Sequence, residues 1–413
     1  MDGNGGRDGI NDDRPGLDHL AVVALTLLVG GSVIALVGQH TAAQAGPAIV
    51  LSLLLASLGA GMVLCCLQDL LARRPDAPGL HGLLVAGWGP RVAGVLGAVL
   101  LLELVVTAAG AAQSSASHLH AVLALYGFQA DHTVPVQLTA AVGLLMLGAT
   151  VLLPARVVAL VACALLTVKI GTGLLLLTLA ARYVHYAHWV PWLPDATAPY
   201  RFGLGGVLAA AVPLLGVFAS VGLALGFPAL RRQHGRWQPS VLALASLMAM
   251  LWLILLAALQ AGLIEFPALA STRPLSVALQ SHPPLQWMLP LLPLAGAAGL
   301  VALQMVLLTL AVQLAMALRP APHAAAWRPR LVAVVMSATL LALWVPAGAL
   351  PALPGAAALL VMGMLCLAVL RPRPDAAGQG PLRWPARTMP LLAPMAALLC
   401  LLAALARLRA WPG

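Results

Sequence analysis

Residues 20–38 read LAVVALTLLVGGSVIALVG, nineteen positions without a charged side chain and with Gly30-Gly31-Ser32 in the middle. About 20 apolar residues in helical form cross the hydrocarbon core of a bilayer. Because the three small residues are weak helix formers, the stretch that predicts a transmembrane helix also predicts a break halfway along it. Unwinding would free amide groups and create a half-helix N-terminus with positive character at the midplane. The plainer alternative is close helix packing, for which glycine is common in membranes.

Apolar runs of this length recur almost to the end of the chain. Hydrophobic residues make up 62% of the 413 positions and charged residues only 8%, whereas soluble domains carry about 25% charged residues. The composition therefore predicts an all-α polytopic membrane protein with about eleven transmembrane helices. The predicted spans are 19–41, 45–71, 92–115, 134–153, 156–181, 204–226, 239–262, 287–317, 331–346, 353–370 and 388–406.

The arginines lie mostly in the connections on one side of these spans. With the N-terminus inside, sixteen arginines are internal and five external, which is the asymmetry of the positive-inside rule. Orientation thus accounts for the formal net charge of +10 better than a nucleic-acid partner does. We expect a multi-pass protein of the cell (inner) membrane with a cytoplasmic N-terminus. Residues 1–18 are predicted to form a disordered polar tail, and 19–413 a single transmembrane domain.

Lys169 is the only lysine in the chain and lies near the middle of the fifth predicted span. An ammonium at mid-membrane costs roughly 3 kcal/mol or more, so it should face a cavity or a partner. Snorkelling to an interface is the alternative, but about ten apolar residues flank Lys169 on either side. We therefore expect a functional role for this residue.

Glu103 is the only glutamate deep inside an apolar segment. Two partners are open from the sequence, a polar stretch of backbone or Lys169. A buried structural hydrogen bond and a supporting role in transport explain Glu103 equally well at this stage.

The sixth span contains a second weak region, from Pro213 to Gly222, with Phe218-Ala219-Ser220-Val221-Gly222 at its centre. Breaks in the first and sixth spans are five helices apart, which is the separation expected for paired repeats of five helices.

Several other classes of protein are disfavoured by the sequence. The eleven histidines are predicted at span ends or in loops, whereas a membrane cytochrome needs histidines on facing helices. The five cysteines show no spacing typical of a metal site or a disulfide framework. The sequence contains no phosphate-binding loop, nucleophile elbow or zinc-protease motif. We therefore expect no enzyme activity, no cofactor and no metal.

The first three spans resemble the amino acid–polyamine–organocation superfamily, and in particular its cationic amino acid transporter-like branch. Gly30 to Gly38 aligns without a gap on that branch's Gly-Thr-Gly-Ile-Phe-Val-Leu-Thr-Gly segment, and Ala45-Gly46-Pro47-Ala48-Ile49-Val50-Leu51-Ser52 follows in register. Further matches are weaker but colinear. They are Cys66 to Pro75 with Asp69 on the branch's glutamate, Leu102-Glu103-Leu104, Arg156 with Lys169, Phe218 to Gly222 on a Phe-Ala-Tyr-Ile-Gly segment, and Arg371 to Pro385.

The resemblance implies a LeuT-type 5+5 inverted-repeat fold with broken helices 1 and 6. The first repeat would cover about 19–181, the second about 204–370, and an extra helix 388–406. It further implies a proton-coupled, sodium-independent permease for amino acids or related small amines. A substrate carboxylate would bind Gly30, Gly31, Ser32 and Val33, and its amino group would meet Phe218, Ala219, Ser220, Val221 and Gly222. Lys169 would carry the coupled proton, with Glu103 as possible polar support.

The sequence also departs from the branch. Gly30-Gly31-Ser32 moves the hydroxyl of its Gly-Thr-Gly motif, Leu223-Ala224 replaces Phe-Asp, and Arg231-Arg232 replaces Glu-Glu. These changes leave open the alternative of a non-transporting membrane protein with the same fold, acting as a partner, sensor or assembly factor.

Overall fold

The computed structural model describes residues 17–74, 77, 79–128, 134–227, 238–271, 273–319, 327–371 and 388–409. The predicted polar tail at 1–18 lies outside the described residues except for its last two positions. Arg231 and Arg232 also lie outside them.

The described residues are almost entirely helical. Their α-helices are α1 (Leu17–Leu25), α2 (Val33–His40), α3 (Ile49–Arg73), α4 (Gly79–Leu125), α5 (Val136–Gly148), α6 (Ala155–Ala180), α7 (Gly203–Ala219), α8 (Gln238–Leu263), α9 (Pro274–Gln280), α10 (Leu291–Leu318), α11 (Trp327–Trp344), α12 (Ala356–Ala368) and α13 (Met389–Arg409). Short 3₁₀ and π-helical turns connect or extend several of them.

The first helical segment is interrupted at the small residues that the sequence singled out. α1 continues as a π-helical turn over Thr26–Gly30, and Gly31 then adopts an extended conformation with φ −75° and ψ −170°. Helical backbone resumes at Val33 after Ser32. The interruption therefore leaves both a C-terminal and an N-terminal helix end in the interior of the segment.

The second weak region changes helix type and does not unwind. α7 gives way at Ser220 to a 3₁₀ helix that runs over Ser220–Gly226. Pro213 lies inside α7, where it supplies no backbone N–H to the helix. The two regions thus differ: the first interrupts the helix with extended backbone, whereas the second changes from α-helical to 3₁₀-helical geometry.

α4 is longer than the predicted span 92–115 at both ends. It begins at Gly79, kinks at Gly89 (φ 81°, ψ 168°) next to Pro90, and continues to Leu125. The prediction that all histidines lie at span ends or in loops is wrong for His118 and His120, because this extension places both within the helix. The prediction followed the apolar run of residues 92–115 and therefore left out the parts of α4 on either side of it.

Seven helices of the described residues are long and apolar enough to cross a membrane. The first of these segments, Leu17–Arg73, comprises 57 residues, and two shorter apolar helices cover Val136–Leu152 and Ala356–Ala368. The chain is therefore a multi-pass membrane protein. The count of eleven spans stays a prediction, because Leu17–Arg73 is longer than a single crossing and two apolar helices fall below the length required of the seven.

α10 is the central helix of the bundle. It packs along α4 and α6 and also contacts the π-helical turn that ends at Gly30. Its residues from Leu300 to Val312 are buried with one exception, Val301. α10 therefore provides the wall against which the interruption after α1 is fixed.

Candidate functional site

The Lys169 side chain ends at the interruption between α1 and α2. Its ammonium donates hydrogen bonds to the carbonyl oxygens of Gly30 (2.9 Å) and Gly31 (2.7 Å). Only 6% of the residue is exposed. Unwound backbone offers carbonyl groups that a continuous helix would use internally, so the interruption supplies the acceptors that a buried cation requires. Lys169 therefore does not snorkel to an interface.

Glycines allow three elements to meet around this ammonium. A Cβ atom on Gly299 of α10 would collide with Cδ of Lys169 and would lie 2.7 Å from the carbonyl oxygen of Gly30. A Cβ on Gly30 would lie 3.0 Å from the carbonyl oxygen of Gly299. The lysine side chain consequently crosses α10 at Gly299, where any residue with a Cβ atom would occupy the same space.

A cavity of about 90 Å³ lies beside Lys169. Its walls come from the interruption, α2, α4, α6, α8, α9 and α10. The polar or charged lining residues are Ser32, His118, Lys169, Thr172, Trp252, Arg273 and Ser276. Small substrates bind in concave, mostly apolar sites with a few convergent polar groups, and this cavity has that character.

The N-terminal end of α2 faces the same cavity. Ser32, Ile34 and Ala35 line it, and the Ser32 side chain forms no capping hydrogen bond to the helix. The first amides of a helix lack intrahelical acceptors, and the helix dipole adds positive character at this end. The arrangement can therefore accept the negative end of a ligand.

The two halves of the predicted substrate site have different surroundings. Gly31 and Ser32 line the cavity, whereas no residue from Phe218 to Gly222 does. Those five positions are fully buried, and the Ser220 hydroxyl donates to the carbonyl of Val217. The space beside Gly31 is occupied by Leu353, and that beside Gly222 by Met362.

Glu103 binds a different helix end. Its carboxylate accepts hydrogen bonds from the amides of Gly355 (3.0 Å), Ala357 (2.6 Å) and Ala358 (2.9 Å) at the start of α12. A negative charge in this position satisfies otherwise unpaired amides and interacts favourably with the helix dipole. Of the two partners left open by the sequence, the structure therefore selects the polar backbone.

Three cavity residues were missed by the sequence analysis. His118 lies in the C-terminal extension of α4, and its ring packs over Gly296 of α10. Arg273 directly precedes α9, and its guanidinium donates to the carbonyl of Ser117 (2.9 Å). Trp252 of α8 packs on Gly173. None of them belongs to a local motif. The one available signal was the arginine in the connection between the seventh and eighth predicted spans.

Two curated relatives are transporters. The cationic amino acid transporter 2, vacuolar, of Arabidopsis thaliana is 25% identical over 299 residues, which are 68% of this chain and 46% of that protein. The methylthioribose transporter of Bacillus subtilis (strain 168) is 26% identical over 219 residues, 49% of this chain and 44% of the relative. The chain thus spans about half the length of the curated relatives it matches. No family model matches the sequence.

Solved structures with a similar fold include a mutant of the manganese transporter of Eremococcus coleocola. It superposes with a TM-score of 0.59 over 94% of this chain and 85% of that one, at 14% identity. The same transporter in complex with an aromatic bis-isothiourea substituted compound gives 0.54. At this identity the likeness concerns the fold alone. The described residues contain no group of three or more His, Cys, Asp or Glu that could hold a metal ion.

The family resemblance drawn from the sequence is confirmed by the two curated relatives. Both are transporters, and their sequence identity to the chain is low, at 25% and 26%.

Proposed function

We propose that this chain, a divergent member of a membrane transporter family, is a secondary active transporter of amino acids or related small amines, driven by protons and independent of sodium. One observation carries the proposal. The only lysine of the chain is buried in the membrane-crossing part of α6 and is held by two backbone carbonyls at a helix interruption, next to a cavity. In transporters, unwound carbonyls of this kind coordinate the driving ion.

We further propose eleven crossings arranged as two inverted repeats of five helices and one extra helix. The segment Leu17–Arg73 has 57 residues, or about 85 Å of helix at 1.5 Å per residue, which is more than twice the hydrocarbon thickness. It therefore counts as two spans. The irregular regions at Gly31 and at Ser220–Gly226 each occupy the first span of a proposed repeat, which supports the 5+5 arrangement.

The proposed coupling step is the loss and gain of a proton on Lys169. The protonated amine has three donors, and two of them hold the carbonyls of Gly30 and Gly31. The neutral amine has two donors and no charge, so it holds the two carbonyls less strongly. Deprotonation therefore weakens the contact between α6 and the interruption, and the two halves of the bundle can move relative to each other.

The proposed binding mode directs a substrate carboxylate to the amides that begin α2 and to the hydroxyl of Ser32. Ile34 and Ala35 beside them line the cavity. The amino group would meet backbone carbonyls of Phe218 to Val221, as the family resemblance implies. Since those residues are now covered, this contact requires another access state of the transporter.

The non-transporting alternative has one observation in its favour. Leu353 and Met362 fill the space beside Gly31 and Gly222, so apolar side chains occupy the place where the resemblance expects a polar substrate. A protein that acts as a partner or sensor needs no substrate site, so apolar side chains could fill that space without loss of function.

Uptake of radiolabelled amino acids into liposomes containing the purified chain separates the two functions. A transporter accumulates substrate when the outside is acidified relative to the lumen, and it loses that accumulation when a protonophore removes the gradient. Liposomes containing the protein that take up no more than empty liposomes, for any amino acid or small amine offered, would instead support the non-transporting function.

A further inference from the structure

One wall of the cavity beside Lys169 carries a hydrogen-bond donor that the protein leaves unused. Trp252 of α8 lines the cavity and is only 9% exposed, yet its indole nitrogen has no hydrogen-bond partner among the described residues. An indole nitrogen can only donate, and a buried donor without an acceptor costs free energy. A ligand in the cavity can supply the missing acceptor.

Two other indoles of the chain show the usual arrangement. Trp88 donates to the carbonyl of Met364 (2.8 Å), and Trp189 donates to the carbonyl of Ala258 (3.2 Å). Neither of these two tryptophans lines the cavity. Of the three indoles, the one at the cavity is therefore the one whose N–H group is not paired with backbone.

Gly173 of α6 sets the position of this indole. A Cβ atom on Gly173 would lie 2.7 Å from Cζ2 and 3.2 Å from Nε1 of Trp252. Since glycine has no side chain, the edge of the ring that carries the N–H group can lie directly against α6. Gly173 belongs to the cavity lining as well, so this edge of the indole lies at the cavity wall.

The residue before Gly173 supplies an acceptor. Thr172 lines the cavity, and its hydroxyl donates its one hydrogen to the carbonyl of Val168 in the same helix (2.8 Å). A hydroxyl oxygen has two acceptor lone pairs besides that hydrogen, so Thr172 can act towards a ligand as an acceptor. A donor from α8 and an acceptor from α6 thus lie on neighbouring helices at one wall of the cavity.

We propose that Trp252 and Thr172 form a subsite for a neutral hydroxyl or primary amide group of the substrate. Both groups contain a donor and an acceptor, so they can accept from the indole of Trp252 and donate to the hydroxyl of Thr172. An aliphatic group of the same size leaves the indole unpaired, which is the means by which a hydrogen-bonding site rejects such analogues. The inference rests on the proposed transport function and narrows its substrate class to members that carry such a group.

The subsite adds recognition of the side chain to the proposed binding mode. The substrate carboxylate is directed to the start of α2, whereas Trp252 and Thr172 belong to α8 and α6. Besides Lys169, the other lining residues with side chains on these two helices are Leu176 and Leu256, which form no hydrogen bonds through their side chains. The polar specificity of this wall therefore comes from Trp252 and Thr172.

The test is a binding measurement on the full chain purified in detergent, with two pairs of ligands of matched shape. L-threonine is compared with L-valine, and L-asparagine with L-leucine. Dissociation constants come from the ligand-dependent rise in melting temperature. We expect the polar ligand to bind about 10-fold more tightly than its aliphatic counterpart, a ratio that corresponds to about 1.4 kcal/mol.

The outcome for each pair is informative. A preference in one pair alone supports the subsite and assigns it to a hydroxyl or to an amide. Equal or weaker binding of the polar ligand in both pairs, or no binding of any of the four ligands, would overturn the inference.

Trp252→Phe removes the donor and keeps an aromatic ring. The preference within the selected pair should disappear, because the aliphatic ligand no longer leaves an indole unpaired. Trp88→Phe is the matched control: it makes the same change at an indole that is bonded to backbone, so it should lower the melting temperature and leave the preference unchanged. If Trp252→Phe keeps the preference, or weakens both ligands of a pair equally, the indole does not recognise the side chain and the inference fails.

Thr172→Val removes the acceptor at constant size. The preference should fall several-fold, the effect of one neutral hydrogen bond. Thr167→Val is the matched control, because Thr167 is an exposed threonine of the same helix outside the cavity lining. If Trp252→Phe does not fold, the wild-type ligand pairs and Thr172→Val still decide the question.

Uptake into liposomes separates this inference from the proposed function. Uptake of the polar and the aliphatic ligands at equal rates in both pairs would support transport and overturn the subsite. Selective binding of the polar ligands without any uptake would support the subsite and overturn transport.

Discussion

Lys169 and Glu103 are two charges within the helix bundle, the first buried and the second half-buried, and they are bound by opposite kinds of helix end. The ammonium of Lys169 is bound by carbonyls at the interruption after α1. The carboxylate of Glu103 is bound by amides at the start of α12. In each case the charge on one helix is stabilised by backbone groups of another, which supply the hydrogen bonds that an ion inside a membrane protein requires.

The difference between the two sites lies in what surrounds them. Glu103 faces three amides of one helix end, which fixes it as a cap. Lys169 uses two of its three donors on carbonyls, and a cavity lies beside it. The carboxylate of Glu103 accepts three hydrogen bonds from one helix end, so it stabilises a single arrangement. The ammonium of Lys169 has a third donor and lies beside a cavity, so it can change its protonation state and its hydrogen-bond partners. We therefore propose a structural role for Glu103 and a coupling role for Lys169.

Lys169→Met gives the largest expected effect, because it removes the ionisable group while keeping a long, unbranched side chain. Proton-driven uptake should fall to the level of empty liposomes. Thr167→Val is the control, since Thr167 is an exposed residue of the same helix whose hydroxyl, among the described residues, bonds to the carbonyl of Cys163 in its own helix. If Lys169→Met takes up substrate at the wild-type rate and with the same pH dependence, Lys169 has no coupling role and does not differ from Glu103 in this respect.

Gly299→Ala tests whether the position of the ammonium matters as well as its presence. The added methyl group would overlap Cδ of Lys169 and displace the side chain from its two carbonyls. A shift of about 1 Å in a working site costs up to about 100-fold in rate, so uptake should drop by about 10- to 100-fold. Gly171→Ala is the matched control, because a methyl group there meets no atom within 4 Å. Equal rates for the two variants would show that the close approach of α10 is irrelevant to transport.

Glu103→Gln should affect stability and leave coupling unchanged. The amide has one acceptor oxygen in place of a charged pair, so the cap of α12 loses about 1 to 2 kcal/mol, the usual scale for an N-cap. The melting temperature in detergent should fall, while the dependence of uptake on pH stays that of the wild type. Glu265→Gln is the control, as Glu265 precedes a 3₁₀ turn without capping it. A shifted pH dependence in Glu103→Gln would give Glu103 a part in proton movement.

Replacement of sodium by choline gives the smallest expected effect. Since the ammonium of Lys169 already occupies the carbonyls of Gly30 and Gly31, no vacancy for a driving sodium ion exists there. Uptake rates in the two media should agree within experimental error. A strong requirement for sodium would place the driving ion elsewhere and make Lys169 a structural residue like Glu103.

The positions of the helices were largely predictable from the sequence. The predicted span 156–181 corresponds to Ala155–Ala180, and 239–262 corresponds to Gln238–Leu263. Apolar runs ended by arginine and proline encode such bounds locally. The interruption at Gly31 was also predictable locally, because three small residues that are weak helix formers lie together within an apolar run.

The composition of the site was only partly predictable. Lys169 and Glu103 were conspicuous as single charges in apolar segments, yet their partners lie 138 and 252 or more residues away in the chain. His118 and Arg273 reach the cavity through the extension of α4 and through α9. Neither element has an apolar period that marks a span. Contacts set by the packing of distant helices leave no pattern in a single sequence.

Proton movement during substrate uptake is the most direct test of the role assigned to Lys169. The lumen of liposomes containing the purified chain is loaded with a pH-sensitive dye, and substrate is added outside without an imposed pH gradient. Wild-type protein should acidify the lumen as substrate enters, and Lys169→Met should not. Substrate entry by wild-type protein without acidification, or equal acidification by both proteins, would contradict the account.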